Sequence, residues 1–144
     1  MIQLKPVTPE NFWDVIYLQV RKDQEHLILS NAVSIAQAYV QSECIPFAIY
    51  ANQELVGFVM YCLDRDDQEY WIYRLMIDQK YQGKGYGKLA LQEVMRIIKT
   101  DSTHHLIYLG VDSTGIESVS LYKSLGFEFT NQIYGKEHIM VYHY

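Results

Sequence analysis

Cysteine is almost missing from this chain. There are two, Cys44 and Cys62, each in apolar surroundings and with no CxxC spacing. That excludes a disulfide framework and a cysteine zinc site, and it reads as two reduced thiols of a cytosolic protein. Proline is scarce too, three in 144 residues, and no linker, repeat or low-complexity segment interrupts the chain. No apolar run reaches the length of a membrane span, and the opening MIQLKPVTPE lacks the apolar core of a secretory leader. A cytoplasmic protein that meets no membrane is expected. Positive charge is in the minority, 12 Lys and Arg against 17 Asp and Glu, for a net charge of −5. This argues against nucleic acid as a partner and is compatible with a cationic small molecule. The five histidines pair with no nucleophile, and no metal site is expected; His104 and His105 read as a surface turn.

What is there is one domain's worth of core. Hydrophobic residues are 49% of the chain and charged ones 20%, which fits a single globular domain over residues 1–144. Ile2–Val7 reads as a strand. Thr8 then stands as an N-cap, with Pro9 at the first helical position, and Trp13, Ile16, Tyr17 and Val20 follow at helical spacing. A second helix is expected over Ala32–Ser42 with Val33, Ala36 and Val40 inward; the stretch before it has no regular pattern. Phe47–Ala51 and Leu55–Leu63 read as a hairpin about Asn52–Glu54. Asp64–Glu69 is a polar connection. On strict alternation Trp71, Tyr73, Leu75 and Ile77 of the strand Tyr70–Ile77 share one face. Leu91, Val94, Met95 and Ile98 give the stripe of an amphipathic helix. Leu106–Val111 is a strand, and Thr114 with Glu117 has capping-box spacing. The helix that follows runs to Leu125 and stops at Gly126. Two strands finish the chain. The order β-α-α-β-β-β-α-β-α-β-β is that of an α/β (α+β) fold with a mixed sheet of about seven strands and four helices.

The segment YQGKGYGK, Tyr81 to Lys88, holds three glycines in five positions between a strand and a helix. Free N–H groups and the helix dipole make such a join an anion site, and glycine lets the backbone approach without a Cβ. A nucleoside-triphosphate loop needs a glycine five places before Gly87 and a hydroxyl after Lys88; Gln82 and Leu89 stand there. A dinucleotide loop needs G-x-G-x-x-G after the first strand of a βαβ unit, and both spacing and element order differ.

Gln82, Gly85 and Gly87 instead give Q-x-x-G-x-G, which resembles the acyl-CoA pyrophosphate loop of the GNAT superfamily of N-acetyltransferases. LMIDQKYQGKGYGKLAL around it and SVSLYKSLGF downstream, Ser118 to Phe127, resemble two motifs of that family. The strong part of the resemblance covers Tyr70 to Phe127. It implies a sheet that splays between its fourth and fifth strands. It also implies acetyl-CoA as co-substrate, its pyrophosphate on the backbone of Gln82, Gly83, Lys84, Gly85, Tyr86, Gly87 and Lys88. The pantetheine arm would lie along Leu75, Met76 and Ile77. Many relatives carry Asn seven positions before the catalytic Tyr, where Gly115 stands here, with Ser118 near enough in sequence to substitute. Tyr122 matches the family's general acid, and an N–H near Leu75 or Met76 is the candidate oxyanion donor of a tetrahedral intermediate.

For the base, Glu69 is the carboxylate best placed by position, with a solvated hairpin charge as the other reading. Within the superfamily the look is closest to small bacterial spermine/spermidine (diamine) acetyltransferases, carried by VGFVMYCL, YRLMIDQKYQGKGYGK and GFEF. This implies a small-molecule primary amine as acceptor, polyamines first. Glu25 and Tyr73 are the candidate substrate contacts, with Asp23, Asp64, Asp66, Asp67 and Glu69 as further acidic candidates for a polyamine pocket and solvated surface charge as the other reading of each. An aminoglycoside, an amino acid or a protein N-terminus stays open as acceptor, and so does a non-catalytic acyl-CoA-binding regulatory module. Relatives often form homodimers through their C-terminal strands, and the sequence leaves this chain's own state open.

Overall fold

A computed structural model describes residues 1–144. Seven strands form one sheet in the order β1-β2-β3-β4-β5-β7-β6. They are β1 (Ile2–Pro6), β2 (Cys44–Ala51), β3 (Glu54–Leu63), β4 (Tyr70–Ile77), β5 (Leu106–Asp112), β6 (Glu128–Tyr134) and β7 (Glu137–His143). The helices are α1 (Phe12–Tyr17), α2 (Asn31–Val40), α3 (Tyr86–Lys99) and α4 (Ile116–Ser124), with 3-10 turns at Lys22–Leu27 and Gln79–Tyr81. Every strand pair is antiparallel except β4 with β5. No helix is long and apolar enough to cross a membrane.

The core lies on both faces of the sheet. On one face Ala90, Leu91, Val94, Met95 and Ile98 of α3 pack with Val59, Ile72, Ile107, Leu109 and Met140, and Val119 and Tyr122 of α4 join them. On the other, Val15 of α1 meets Ala48, Phe58, Met60, Cys62 and Met76, with Ile35 and Ala38 of α2 against them. The two cysteines face each other as a cross-strand pair of β2 and β3, both buried and unbridged.

Several local expectations need correction. Helix α1 begins at Phe12, after a turn in which the Asn11 side chain accepts the Thr8 N–H at 2.7 Å; Thr8 caps nothing. One short helix buries one residue deeply, Val15, and Trp13 and Tyr17 turn outward. In α2, capped by Ser30, the outward residues are Val33, Ala36 and Val40, and Ser34, Ile35 and Ala38 face the sheet. Apolar composition alone did not fix which face is inward there. Strand β2 starts at Cys44 and includes Pro46, tolerated because β1 has ended by that point and no ladder N–H is required. The hairpin loop is two residues, Asn52 and Gln53, both with positive φ. Before α4, Thr114 donates its N–H and hydroxyl to Asp112 at 2.9 and 2.7 Å and does not cap the helix; Gly115 is the N-cap. The helix end is as expected: Phe127 N–H bonds Tyr122 C=O at 3.1 Å across Gly126.

The largest correction is in β4. Met60 pairs with Arg74 but Tyr61 pairs with Ile72, so one extra residue bulges at Tyr73. The alternation flips there. Tyr73 and Met76 pack on the α1–α2 side, and Leu75 and Ile77 pack on the α3 side. Trp71 and Tyr73 therefore do not share a face with Leu75 and Ile77. Extra residues are invisible to period-two reading because the count of residues is unchanged.

Close packing at Gly57 holds the far end of β4 against β3. A Cβ there would overlap the Met76 carbonyl oxygen and come within 2.8 Å of Ile77 Cδ1. Backbone cannot retreat as a side chain can. Gly57→Ala is expected to lower unfolding free energy by about 1–3 kcal/mol, read as a fall in the urea midpoint. A midpoint equal to that of the native protein would contradict the close approach.

Candidate active site

The β4–β5 ladder is short. It contains Tyr70 with Ile107, Trp71 with Tyr108 and Ile72 with Leu109, and then it stops. Strand β4 runs on beside β3 to Ile77, and β5 runs on beside β7 to Asp112. The bulge at Tyr73 follows the last β4–β5 pair directly. A bulge adds twist and bends its strand, so the two strands part at that point. Arg74 fits the break: its Nη1 donates to the Tyr73 carbonyl at 2.9 Å and its Nη2 to Gln37 of α2 at 2.9 Å. Its Nε is buried without a partner.

The parting opens a cleft of about 710 Å³. Main-chain direction along its β4 wall follows from one bond. Asp78 N–H donates to Val56 C=O at 2.8 Å, so the alternate residues Met76 and Asp78 turn their backbone toward β3. Leu75 and Ile77 therefore turn theirs toward the cleft. The Ile77 carbonyl is taken by Gln82 Nε2 at 2.9 Å. Met76 contributes a mostly buried side chain, whose sulfur accepts from Asn31 Nδ2 at 3.7 Å.

At the end of β4 lies the glycine loop. Gly83 and Gly85 have φ of 80° and 83°, a left-handed conformation that favours glycine, and no atom lies within 4 Å of where their Cβ would be. The first helical backbone bond is Leu89 N–H to Gly85 C=O at 3.2 Å. From Gln82 to Lys88 no main-chain N–H donates to any protein acceptor. Consecutive free donors at a helix start form a concave anion site. Gln82, Gly83, Gly85, Tyr86, Gly87 and Lys88 line the cleft; the Lys84 side chain stands outside it, with Nζ 5.8 Å from the Tyr81 ring centre.

The loop is held from outside by side chains. Gln82 Oε1 accepts from Arg21 Nη1 at 3.0 Å, and Gln82 Nε2 donates to Gln24 Oε1 at 2.9 Å as well as to Ile77. Arg21 also donates to Glu117 of α4 at 3.0 Å. One guanidinium thus ties the 3-10 segment, the glycine loop and the start of α4 together. The sequence marked Gln82 for the ligand; the structure gives its side chain to the scaffold.

Across the cleft stands Tyr122 of α4. Its ring meets Phe127 edge-on at 6.0 Å. Burial, and then the charge of Glu137, push the phenol pKa up to about 12. Tyr73 lines the same cleft, but its hydroxyl is committed to Asp64 at 2.6 Å; burial first and that bond second push its pKa up. Gly115, Ser118 and Glu25 also line the cleft. Glu69 does not. It sits at the opposite end of β4 from the glycine loop, with its N–H on Asp67.

Five charged residues of the cleft were missed by sequence reading: Arg74, Asp112, Glu117, Lys136 and Glu137 all line it. The Glu137 side chain lies across Gly110, with its carboxylate carbon 3.0 Å from where a Cβ of Gly110 would be. Nothing local in the sequence marks them: Arg74 is placed by a bulge, and Glu137 by a strand pairing with β5.

Comparison with known proteins agrees with this geometry. A family model described as Acetyltransferase (GNAT) family matches residues 10–127. The spermine/spermidine N(1)-acetyltransferase of Bacillus subtilis (strain 168) is 31% identical over 147 aligned residues, covering 97% of each chain. Among solved structures, spermidine N-acetyltransferase from Vibrio cholerae, in complex with CoA and spermine, superposes with a TM-score of 0.76 at 17% identity over 99% of this chain and 95% of that one. The aminoglycoside acetyltransferase AAC(6')-Ib, in complex with coenzyme A, gives 0.82 at 14% identity over 99% and 95%. At those identities the two structures speak for the fold. The family match and the relative spanning nearly the whole chain identify it: this protein belongs to the GNAT family and is an acetyl-CoA-dependent acetyltransferase.

Proposed function

We propose that the chain transfers the acetyl group of acetyl-CoA to a primary amine of a small cationic acceptor, with polyamines such as spermidine and spermine as the preferred class. The observation that carries this reading is the run of unbonded amides from Gln82 to Lys88 at one end of a cleft with a half-buried phenol at its side. The 31% identity to a spermine/spermidine acetyltransferase supports the acceptor class.

The roles follow from position. The amides of the loop, with Lys88, hold the pyrophosphate. The free backbone edge at Leu75 and Ile77 pairs with the amides of the pantetheine arm as an added strand would. Acetyl-CoA supplies an acyl carbon activated as a thioester. The Leu75 N–H, turned into the cleft just past the bulge, receives the carbonyl oxygen as it gains charge. Tyr122 donates a hydrogen bond to the leaving sulfur. The attacking amine must be neutral, and its free pKa is about 10.4. Glu69 lies outside the cleft, so the amine loses one proton to solvent before attack, and its second N–H proton passes to solvent as the C–N bond is completed, the C–S bond breaks and the CoA thiolate leaves.

Three outcomes test this reading. Tyr122→Phe lowers kcat more than tenfold and leaves the thermal shift by CoA unchanged; normal turnover would remove Tyr122 from the chemistry. Gln82→Ala frees the loop from Arg21, Gln24 and Ile77, and raises the KM for acetyl-CoA about tenfold, the scale of losing one or two net hydrogen bonds, with a smaller change in kcat. In the pH profile, kcat/KM for the amine rises with unit slope from pH 7 towards the amine pKa. Because the Tyr122 pKa is raised, its donor form persists through that range, and no falling limb enters before pH nears about 12. A descending limb near pH 8–9 would contradict the environment described for Tyr122.

A further inference from the structure

Helices α1 and α2 cover the sheet only as far as β4 on their side. The core cluster they close takes nothing from β5, β6 or β7. Next along that face stand three aromatic rings, one on each of three strands. Trp71 of β4 stacks on Tyr108 of β5 at 5.0 Å and 24°, and Tyr134 of β6 flanks Trp71 at 6.4 Å and 35°. Tyr134 is 58% exposed. The stack continues the cleft. Trp71 lies two residues before Tyr73, Tyr108 two before Gly110, and Tyr134 pairs with Glu137. Its far end is acidic. The Trp71 indole donates to Asp67 Oδ2 at 2.8 Å, and the Glu69 N–H to Asp67 Oδ1 at 2.9 Å, so Asp67 is a fixed charge. The Glu69 carboxylate has no protein partner, and the charges of Glu69 and Asp67 both reach Tyr108. The one cation in that turn, Arg65, is drawn away to Glu43 and Ser42.

We propose that this strip, from Glu137 over Trp71, Tyr108 and Tyr134 to Asp67 and Glu69, is the track for the distal part of the acceptor, and that it selects a linear polycation. The inference rests on the amine-acetyltransferase reading and adds where the rest of the amine lies. Aromatic faces and carboxylates attract ammonium groups and methylene chains alike. The two ends of the strip differ in charge. At the cleft Arg74 and Lys136 are offset by Glu137 and by Asp112, its partner in the β5–β7 ladder. The far end, with Asp67 and Glu69, favours an ammonium. From Tyr73 to Glu69 is four residues along β4, a span of about 13 Å. An extended triamine bridges it; a short diamine does not. Charge complementarity and continuity with the cleft select a small polycation over a second protein copy.

The test uses the full chain with CoA bound. Binding of a linear triamine, and of a monoamine with the same chain length, is measured by calorimetry, and initial rates are measured with acetyl-CoA. Glu69→Gln combined with Tyr134→Ser, both at exposed or half-exposed positions, is expected to raise the triamine Kd and KM at least tenfold. The monoamine constants and kcat should change less than twofold, and added salt should weaken triamine binding to the native protein. Equal effects on triamine and monoamine, or no effect on either, overturn the track. So does a variant that changes oligomeric state with triamine affinity intact, which would make the strip a protein interface. If the native protein binds triamine, and the variant does not, yet no amine releases thiol, the track stands and the transferase reading of the acceptor fails. If thiol is released but triamine gains nothing over monoamine, the transferase reading stands and the track fails.

Discussion

The site depends on a ladder that ends early. After Ile72 and Leu109 the only parallel pair in the sheet stops, while each strand keeps its other neighbour. Parallel pairing is the weaker kind per residue, and it is the one that gives way at the bulge. Had β5 stayed beside β4 past Leu109, the backbone edge turned outward at Leu75 and Ile77 would have been paired and no free edge would exist. A bare edge invites a partner, and here it lies inside the cleft. Arg74 stabilises the parting by bonding the carbonyl of the bulged residue and reaching to α2. The same side chain lines the cleft, so the device that breaks the sheet also places a charge there.

The glycine loop is a second constraint of the same kind. Two left-handed glycines cost about 0.5–1 kcal/mol each in chain entropy, and a row of unpaired N–H groups adds to that. Gln82 offsets the cost with three hydrogen bonds, each contributing a net of about 0.5–1.5 kcal/mol. The arrangement is anchored by Arg21, which also holds Glu117 at the start of α4. The phosphate end and the phenol end of the cleft are therefore fixed to one another through a residue that touches neither reacting group.

How far the sequence could be read depended on the range of the physics involved. Strand and helix order, the α3 stripe and the stop at Gly126 are local, set by residues within a turn or two of each other, and they stand in the structure as expected. The loop from Gln82 to Lys88 and the position of Tyr122 came from motif resemblance and fall on the cleft. The faces of α1 and α2 did not follow from composition. Val33, Ala36 and Val40 are as apolar as the residues that face inward, and only the partner strands decide between the two stripes. Strict alternation failed in β4 because a bulge changes which way side chains point without changing which residues are present. Arg74, Lys136 and Glu137 were missed for the same reason: their neighbours are far away in the chain. Glu69 was chosen for its place beside a strand start, and that end of β4 lies outside the cleft.

The phenol's environment decides what kind of help it can give. With its pKa raised to about 12 and a free thiol near 8.5, full transfer of the Tyr122 proton to the departing thiolate is uphill by about 5 kcal/mol. A hydrogen bond to that sulfur carries no such penalty, and it strengthens as negative charge builds there. The burial that makes Tyr122 a poor acid thus keeps it a protonated donor at every pH where the amine can be neutral. In the proposed mechanism the Leu75 N–H would act the same way at the oxygen, so the help comes from two fixed donors at the two atoms that gain charge, with the protons of the amine left to solvent.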